Sequence, residues 1–335
     1  MMRKRAVTLL SLTLVFGLML FGFTTPPAQA AGKHFEGIHI VFFPGGNEGC
    51  PFASVVYRGA KAAEEDLGCT VEYVWSDWLP DKMVAQFKDA VARRPDGIAI
   101  MGHPGVAAFA PLVDEAASKG ILVTSQNTTL PAIEEKYKDA GFGYVGQELY
   151  PSGLMLAKGA AKRAGLKKGD RAMVWGLLGQ ETRGLRSKGC VDALKELGAQ
   201  VDYLEISDSI NADASLGTPV IASYIATHPD VKMIITDHGA LTSTLGTYLR
   251  AAKKNPGEIY TAGFDLSAAT ADAIRGGWVG AVLDQQPYLQ GYLPIVQICL
   301  TKKYGFAGLH IDTGAAIIDK TNIDFVAPLA VKGIR

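Results

Sequence analysis

Cysteine is scarce in this chain, its acidic and basic side chains cancel, and long apolar runs are nearly absent. Each shortage removes a class of function. There are four cysteines. Cys50 and Cys69 bracket a helical pattern over 52–67 whose rise sets them about 25 Å apart, too far for a disulfide. Cys190 and Cys299 fall in helical patterns of different segments and read as small core residues. No Cys or His pair has ligand spacing, so no metal site is expected. Lys and Arg number 33 against 33 Asp and Glu, which makes nucleic acid and anionic membrane poor partners. There is no nucleophile elbow, no phosphate loop and no zinc pattern, and the glycine-rich turn 45–49 only faintly resembles a dinucleotide loop. The chain therefore reads as no enzyme, with no catalytic residue and no cofactor.

The one long apolar run stands at the N-terminus. Met1-Met2-Arg3-Lys4-Arg5 is a basic lead, 6–23 is apolar, and Ala28-Gln29-Ala30 is a small-x-small cleavage site. Together they form an export signal over 1–30, removed after Ala30. A retained membrane anchor is the competing reading, which the helix-breaking Pro26-Pro27 and the cleavage site oppose. With no later run of spanning length, no membrane insertion is expected of the mature chain. Cleavage removes three basic residues and leaves about 305 residues, slightly acidic, enough for two domains with cores; a hydrophobic share of 48% fits a globular class.

Apolar strand runs alternate with amphipathic helices along the rest. Strands are expected at 38–43, 70–74, 97–101 and 121–125, with helices over 52–67, 80–93 and 107–119 between and after them. The same grammar restarts after Val145-Gly146: helices over 151–163, 185–197 and 219–227 alternate with strands over 171–177, 200–206 and 231–236. Strands separated by helices of this length imply parallel sheets wrapped by right-handed crossovers, so the fold class is α/β with two doubly wound lobes.

Ligands of such sheets bind outside the carboxyl ends of the strands. The loops there carry Asn47, Cys50 and Phe52, then Trp75 and Trp78, His103, and Gln126-Asn127. In the second half they carry Gln180, Arg183 and Arg186, Asp213, and Asp237-His238. The last two strand runs end on Gly263-Phe264-Asp265 and on Asp284-Gln285. A carboxylate accepts hydroxyl protons and an amide both donates and accepts, so Asp265 and Gln285 suit a small polyhydroxylated ligand held without chemistry.

In order and spacing, a further set of segments is specific: Cys50-Pro51-Phe52 ahead of Val55-Val56-Tyr57-Arg58-Gly59-Ala60, Arg93-Arg94-Pro95-Asp96-Gly97-Ile98, Arg186 before Lys188-Gly189, His228-Pro229-Asp230, and Gly263-Phe264-Asp265 with Gln285. Over essentially all of the mature chain they resemble the type I periplasmic sugar-binding proteins, the ribose- and galactose-binding relatives that serve ABC importers. The resemblance implies a three-segment hinge near Gln147, Gln286 and 310–314, an N-terminal lobe of 33–147 plus 286–312, and a C-terminal lobe of 148–285 plus 313–335. It implies a periplasmic monomer that takes up a monosaccharide or sugar-like polyol and hands it to ABC permease subunits. By the same resemblance Asp265 and Arg186 clamp ring hydroxyls, Gln285 is a cleft amide, and Phe52 packs on a sugar face. Asn127 falls where ribose-type relatives hold an acid, and His238 where they often hold Asn. Ala53 and Ala212 replace aromatics of a ribose binder, so stacking passes to Trp75, Trp78 or Phe43 and the sugar differs in shape from ribose.

Plainer roles compete. Asp265 can cap the helix over 267–275, Arg186 can pair with a carboxylate on its own helix, the two Trp can roof a core, and His103 before Pro104 can be a turn residue. Gln285 resists such a reading, because an unpaired buried amide costs about 1–3 kcal/mol. A signal receptor docking on a chemoreceptor or sensor kinase is the alternative function. A regulator is not, since the export signal stands where a DNA-binding module would.

Overall fold

In the computed structural model, residues 34–314 and 316–335 are described; the export signal over 1–30 lies outside them. The elements in chain order are β1 His39–Phe42, α1 Pro51–Leu67, β2 Thr70–Tyr73, α2 Pro80–Arg93, β3 Gly97–Met101, α3 Val106–Ser118, β4 Leu122–Gln126, α4 Pro131–Tyr137 and β5 Gly143–Gly146. Then come α5 Leu149–Ala164, β6 Arg171–Gly176, α6 Leu185–Glu196, β7 Gln200–Glu205, α7 Asp208–Ala212, α8 Thr218–Thr227, β8 Val231–Thr236, α9 Gly239–Ala251, β9 Tyr260–Phe264 and α10 Ala268–Arg275. Last are β10 Ala281–Asp284, α11 Pro287–Tyr304, β11 His310–Asp312, β12 Ala316–Asp319 and α12 Ile323–Val331.

Two six-stranded sheets result, ordered β2-β1-β3-β4-β5-β11 and β7-β6-β8-β9-β10-β12. The orders are the same, and every pairing is parallel except β10 with β12. This is the doubly wound arrangement, with a switch point between β1 and β3 in one sheet and between β6 and β8 in the other. Strands covered on both faces read as continuous apolar runs rather than alternating ones. β3, Gly-Ile-Ala-Ile-Met, is buried at every position. Proline opens α1, α2 and α11, where its missing N–H costs nothing, and Gly68, Gly165 and Gly305 close α1, α5 and α11 in the left-handed conformation.

The chain crosses between sheets three times. It leaves the first after β5, returns with α11, which packs along α1 and over β4 and β5, and leaves again between β11 and β12. α4 and α9 are helices that the periodicity does not reveal: α4 buries only Ile133, and α9 is diluted by Gly239, Gly246 and four threonine and serine residues. All four cysteines are free, and Cys69 and Cys299 meet in the core of the first sheet.

His310 of β11 clasps the crossing region. Its Nδ1 lies 2.7 Å from Glu134 of α4, and Nε2 bonds Glu148 ahead of α5. Partial burial disfavours the charged imidazole, but the two carboxylates outweigh it and raise its pKa above the usual value. A raised pKa means the protonated ring stabilises the fold, fully below the unfolded value near 6.5 and progressively less as pH climbs through the folded one. Thermal melts of His310→Gln against the parent are expected to show a deficit of roughly 0.5–1 kcal/mol near pH 5.5, after solvent screening, that fades as pH climbs through the raised folded value. A deficit independent of pH would assign the effect to packing.

Candidate functional site

The side chains of interest stand just past the carboxyl ends of strands: His103 after β3, Asn127 after β4, Asp237 and His238 after β8, Asp265 after β9 and Gln285 after β10. Arg183 and Arg186 lie where β6 hands over to α6. Several are aimed by unusual backbone. Trp78, Asn127, Asp265 and Gln286 have φ of 58°, 65°, 70° and 54°, a left-handed region costly for any residue with a Cβ.

A line of hydrogen bonds joins the two sheets. His103 Nε2 is 2.8 Å from Asn127 Oδ1. Asn127 Nδ2 donates to Gln285 Oε1 at 3.0 Å and to Gln290 Oε1 at 3.1 Å. Gln285 Nε2 donates to Asp265 Oδ1 at 2.5 Å, and Asp265 Oδ2 accepts from Gly239 N–H at 2.8 Å. Since Asn127 uses its amide nitrogen twice, its oxygen accepts and His103 carries the proton on Nε2. Only glycine fits at 239: a Cβ there would stand 2.8 Å from Asp265 Cβ. The capping role considered for Asp265 belongs instead to Ser267, which accepts from Thr270 N.

Beside this line is an ion pair. Arg186 donates to Asp237 Oδ1 and Oδ2 at 3.1 and 2.7 Å, and Ser187 Oγ adds a bond of 2.6 Å. Arg186 thus pairs with a buried acid just past β8, not with a carboxylate of its own helix, and its guanidinium lies 4.9 Å over the Phe264 ring. Burial alone would raise the Asp237 pKa; the Arg186 charge overcomes it and holds the carboxyl far below the usual range. Asp265, buried without a direct cation, is pushed up by that burial. Burial, then the charge of Arg183, lower His103 and His238 to about 3, so both rings are neutral.

Aromatic rings line the first-sheet side. Trp78 stacks on His103, with ring centres 5.2 Å apart and planes at 25°, and lies 6.0 Å from Phe52. Gly45 and Gly46 let the indole lie flat, since a Cβ on either would stand 2.4 or 2.7 Å from it. Trp75 packs on Tyr57 instead, at 5.5 Å, and Phe43 is 1% exposed inside the core of the first sheet. Asn47, Gln180 and Asp213 are exposed; Asp213 accepts from Ser215 N and caps a 3-10 turn. The structure therefore brings together Phe52, His103, Asn127, Arg186, His238, Asp265 and Gln285, and leaves Phe43 and Trp75 apart. Sequence reading did not single out Gln290, which sits inside α11 and reads as an ordinary helix polar residue, and it placed Gln147 only at the hinge, whereas both side-chain polar atoms of Gln147 are buried without a protein partner.

The family model described as "Periplasmic binding protein domain" matches residues 40–299. The chain is 29% identical over 289 residues to the xylose/arabinose-binding protein XylF of Sulfolobus acidocaldarius, covering 82% of this chain and 69% of the relative. It is 25% identical to the ribose import binding protein RbsB of Haemophilus influenzae, over 73% of this chain and 80% of that one. In fold it is similar to a carbohydrate transporter of Acidothermus cellulolyticus solved with myo-inositol, at TM-score 0.74 and 23% identity, covering 89% of this chain and 99% of the other.

Removing one member of the buried ion pair strands the other. Asp237→Ala is expected to cost about 3–5 kcal/mol of folding stability, read from urea denaturation, whereas the paired replacement Arg186→Met with Asp237→Leu recovers most of it. A loss under about 1 kcal/mol in the single variant would mean that water already reaches the pair.

Proposed function

The chain belongs to the periplasmic binding protein family, and on that premise we propose that it captures a monosaccharide or sugar-like polyol between its two lobes and delivers it to ABC permease subunits. It is a binding protein and not an enzyme. The observation that carries the sugar reading is the juxtaposition of the Phe52, Trp78 and His103 rings with the polar line from Asn127 through Gln285 to Asp265. Rings meet the C–H face of a pyranose, and convergent donors and acceptors read its hydroxyls. The similarity to proteins named for xylose, arabinose and ribose supports the same class.

In this reading the lobes are 33–147 plus 286–312 and 148–285 plus 313–335, rotating about the crossings near Gln147, Gln286 and 310–314. Thr313 Oγ donates to the Gln285 carbonyl at 2.7 Å and Gln286 Nε2 donates to the Thr313 carbonyl at 2.8 Å, so the crossings are cross-braced where they bend. Ligand hydroxyls take over partners that the two lobes otherwise supply to each other, and closure is favoured when the cleft is filled. The protein acts as a periplasmic monomer after removal of its first 30 residues.

Asp265→Ala is expected to lose sugar binding, by at least about a hundredfold, with an unchanged circular dichroism spectrum. Among the aromatics, Trp78→Ala is expected to weaken binding more than Trp75→Ala. Titration calorimetry with D-xylose, L-arabinose, D-ribose and myo-inositol decides both; affinity unaffected by Asp265→Ala would remove the sugar from this cleft.

A further inference from the structure

The arginine that the resemblance points to is held by a fixed partner. One edge of the Arg186 guanidinium, Nε and Nη2, goes to Asp237, and its side chain is 3% exposed. Arg183, three residues earlier, is not so held. Its side chain is 13% exposed, its nearest carboxylate oxygen is Asp237 Oδ2 at 3.9 Å, beyond hydrogen-bond reach, and it makes no hydrogen bond among the described residues. Asp237 already accepts three bonds from Arg186 and Ser187, and Arg183 stands off it without a hydrogen bond. Asp265, the other acid of the site, is held by Gln285 and by the Gly239 N–H and forms no ion pair with Arg183. The imidazoles of His103 and His238 facing it are neutral.

A guanidinium enclosed without a hydrogen-bonded anion carries a desolvation cost that carboxylates at 3.9 Å and beyond offset only in part, and closing the lobes over it increases that cost. A neutral sugar offers Arg183 single acceptor oxygens. A carboxylate offers a planar pair that matches the guanidinium fork and supplies the opposing charge. We infer that Arg183 is the specificity-determining residue of the cleft and that the ligand it selects is a monosaccharide bearing a carboxylate. The inference rests on the sugar-binding function proposed above and narrows it to acidic sugars. Arg186 and Asp237 then form the fixed wall against which Arg183 presents its donors, and the rings of Phe52 and Trp78 bind the apolar face of the same sugar.

Two pairs of sugars isolate the group at issue. D-glucuronate is D-xylose with a carboxylate on C5, and D-galacturonate is L-arabinose with the same addition. Titration calorimetry of the parent protein is expected to give each uronate an affinity at least about tenfold above that of its pentose, a difference of about 1.4 kcal/mol. Arg183→Gln brings the ratio to within about twofold, and Arg183→Lys, which keeps the charge and loses the fork, falls between them. Circular dichroism melts verify that both variants fold. A pentose that binds the parent as tightly as its uronate, or a ratio that Arg183→Gln leaves unchanged, overturns the inference and leaves the sugar-binding function standing. Absence of binding by all four sugars and by myo-inositol overturns both.

Discussion

Everything at the interlobe junction depends on one uncharged amide. Gln285 accepts from Asn127 of the first sheet and donates to Asp265 of the second, so a single side chain completes both lobes' hydrogen bonding. A glutamate there could accept but not donate at neutral pH and would face Asp265 charge to charge. A leucine would strip the buried Asp265 Oδ1 of its partner and Asn127 of one of its two acceptors, and a buried polar atom left without a partner costs about 1–3 kcal/mol. Gln290 buttresses the amide from inside α11, and Thr313 ties the Gln285 carbonyl to the third crossing. The relay therefore joins the strand-end polar groups of both sheets to the segments where the chain crosses between them.

The backbone that presents this relay is not at rest. Asn127 and Asp265, the relay's two ends, both sit at positive φ, as does Gln286 beside its centre. Asn and Asp tolerate that conformation better than most side chains, and the left-handed turn at the end of a parallel strand directs the residue across the sheet edge instead of along it. The hydrogen bonds compensate for the conformational cost: Asp265 gains the Gly239 N–H at the start of α9 as well as Gln285. Local strain and relay thus support each other, and loss of either would release the other.

Much of this was legible from the residues. The strand and helix alternation gave both sheets, because central parallel strands are apolar throughout, as in β3, or nearly so, as in β8 apart from Lys232 and Thr236, and their helices are long enough to show a period. Asp265 and Gln285 stood out because a carboxylate and an amide that end apolar strands have no role in a core. What could not be read was pairing. Asp237 is separated from Arg186 by 51 residues, and only the adjacency of β6 and β8 brings α6 onto the end of β8. The choice between two tryptophans was equally closed to sequence, since it turns on Gly45 and Gly46 lying beneath Trp78 and on Tyr57 capturing Trp75. Cys69 and Cys299 meet for the same reason: helix α11 returns to the first sheet from far along the chain.

The site also shows why a protein with no net charge concentrates charge at one place. Four ionisable groups, Arg183, Arg186, Asp237 and Asp265, stand together largely out of solvent, and only two of them form a close pair. Around them Gln147, His238 Nε2 and Thr128 Oγ are buried with no protein partner. Stability alone would favour replacing such groups with apolar ones, since unpaired buried polar atoms weaken a fold. Their retention at the strand ends is explained if their partners arrive with the ligand. Binding then draws on two sources, the hydrogen bonds that the ligand forms and the desolvation cost that it removes, and the second discriminates more sharply. A sugar lacking one hydroxyl leaves a protein group stranded, which costs more than the missing hydrogen bond was worth.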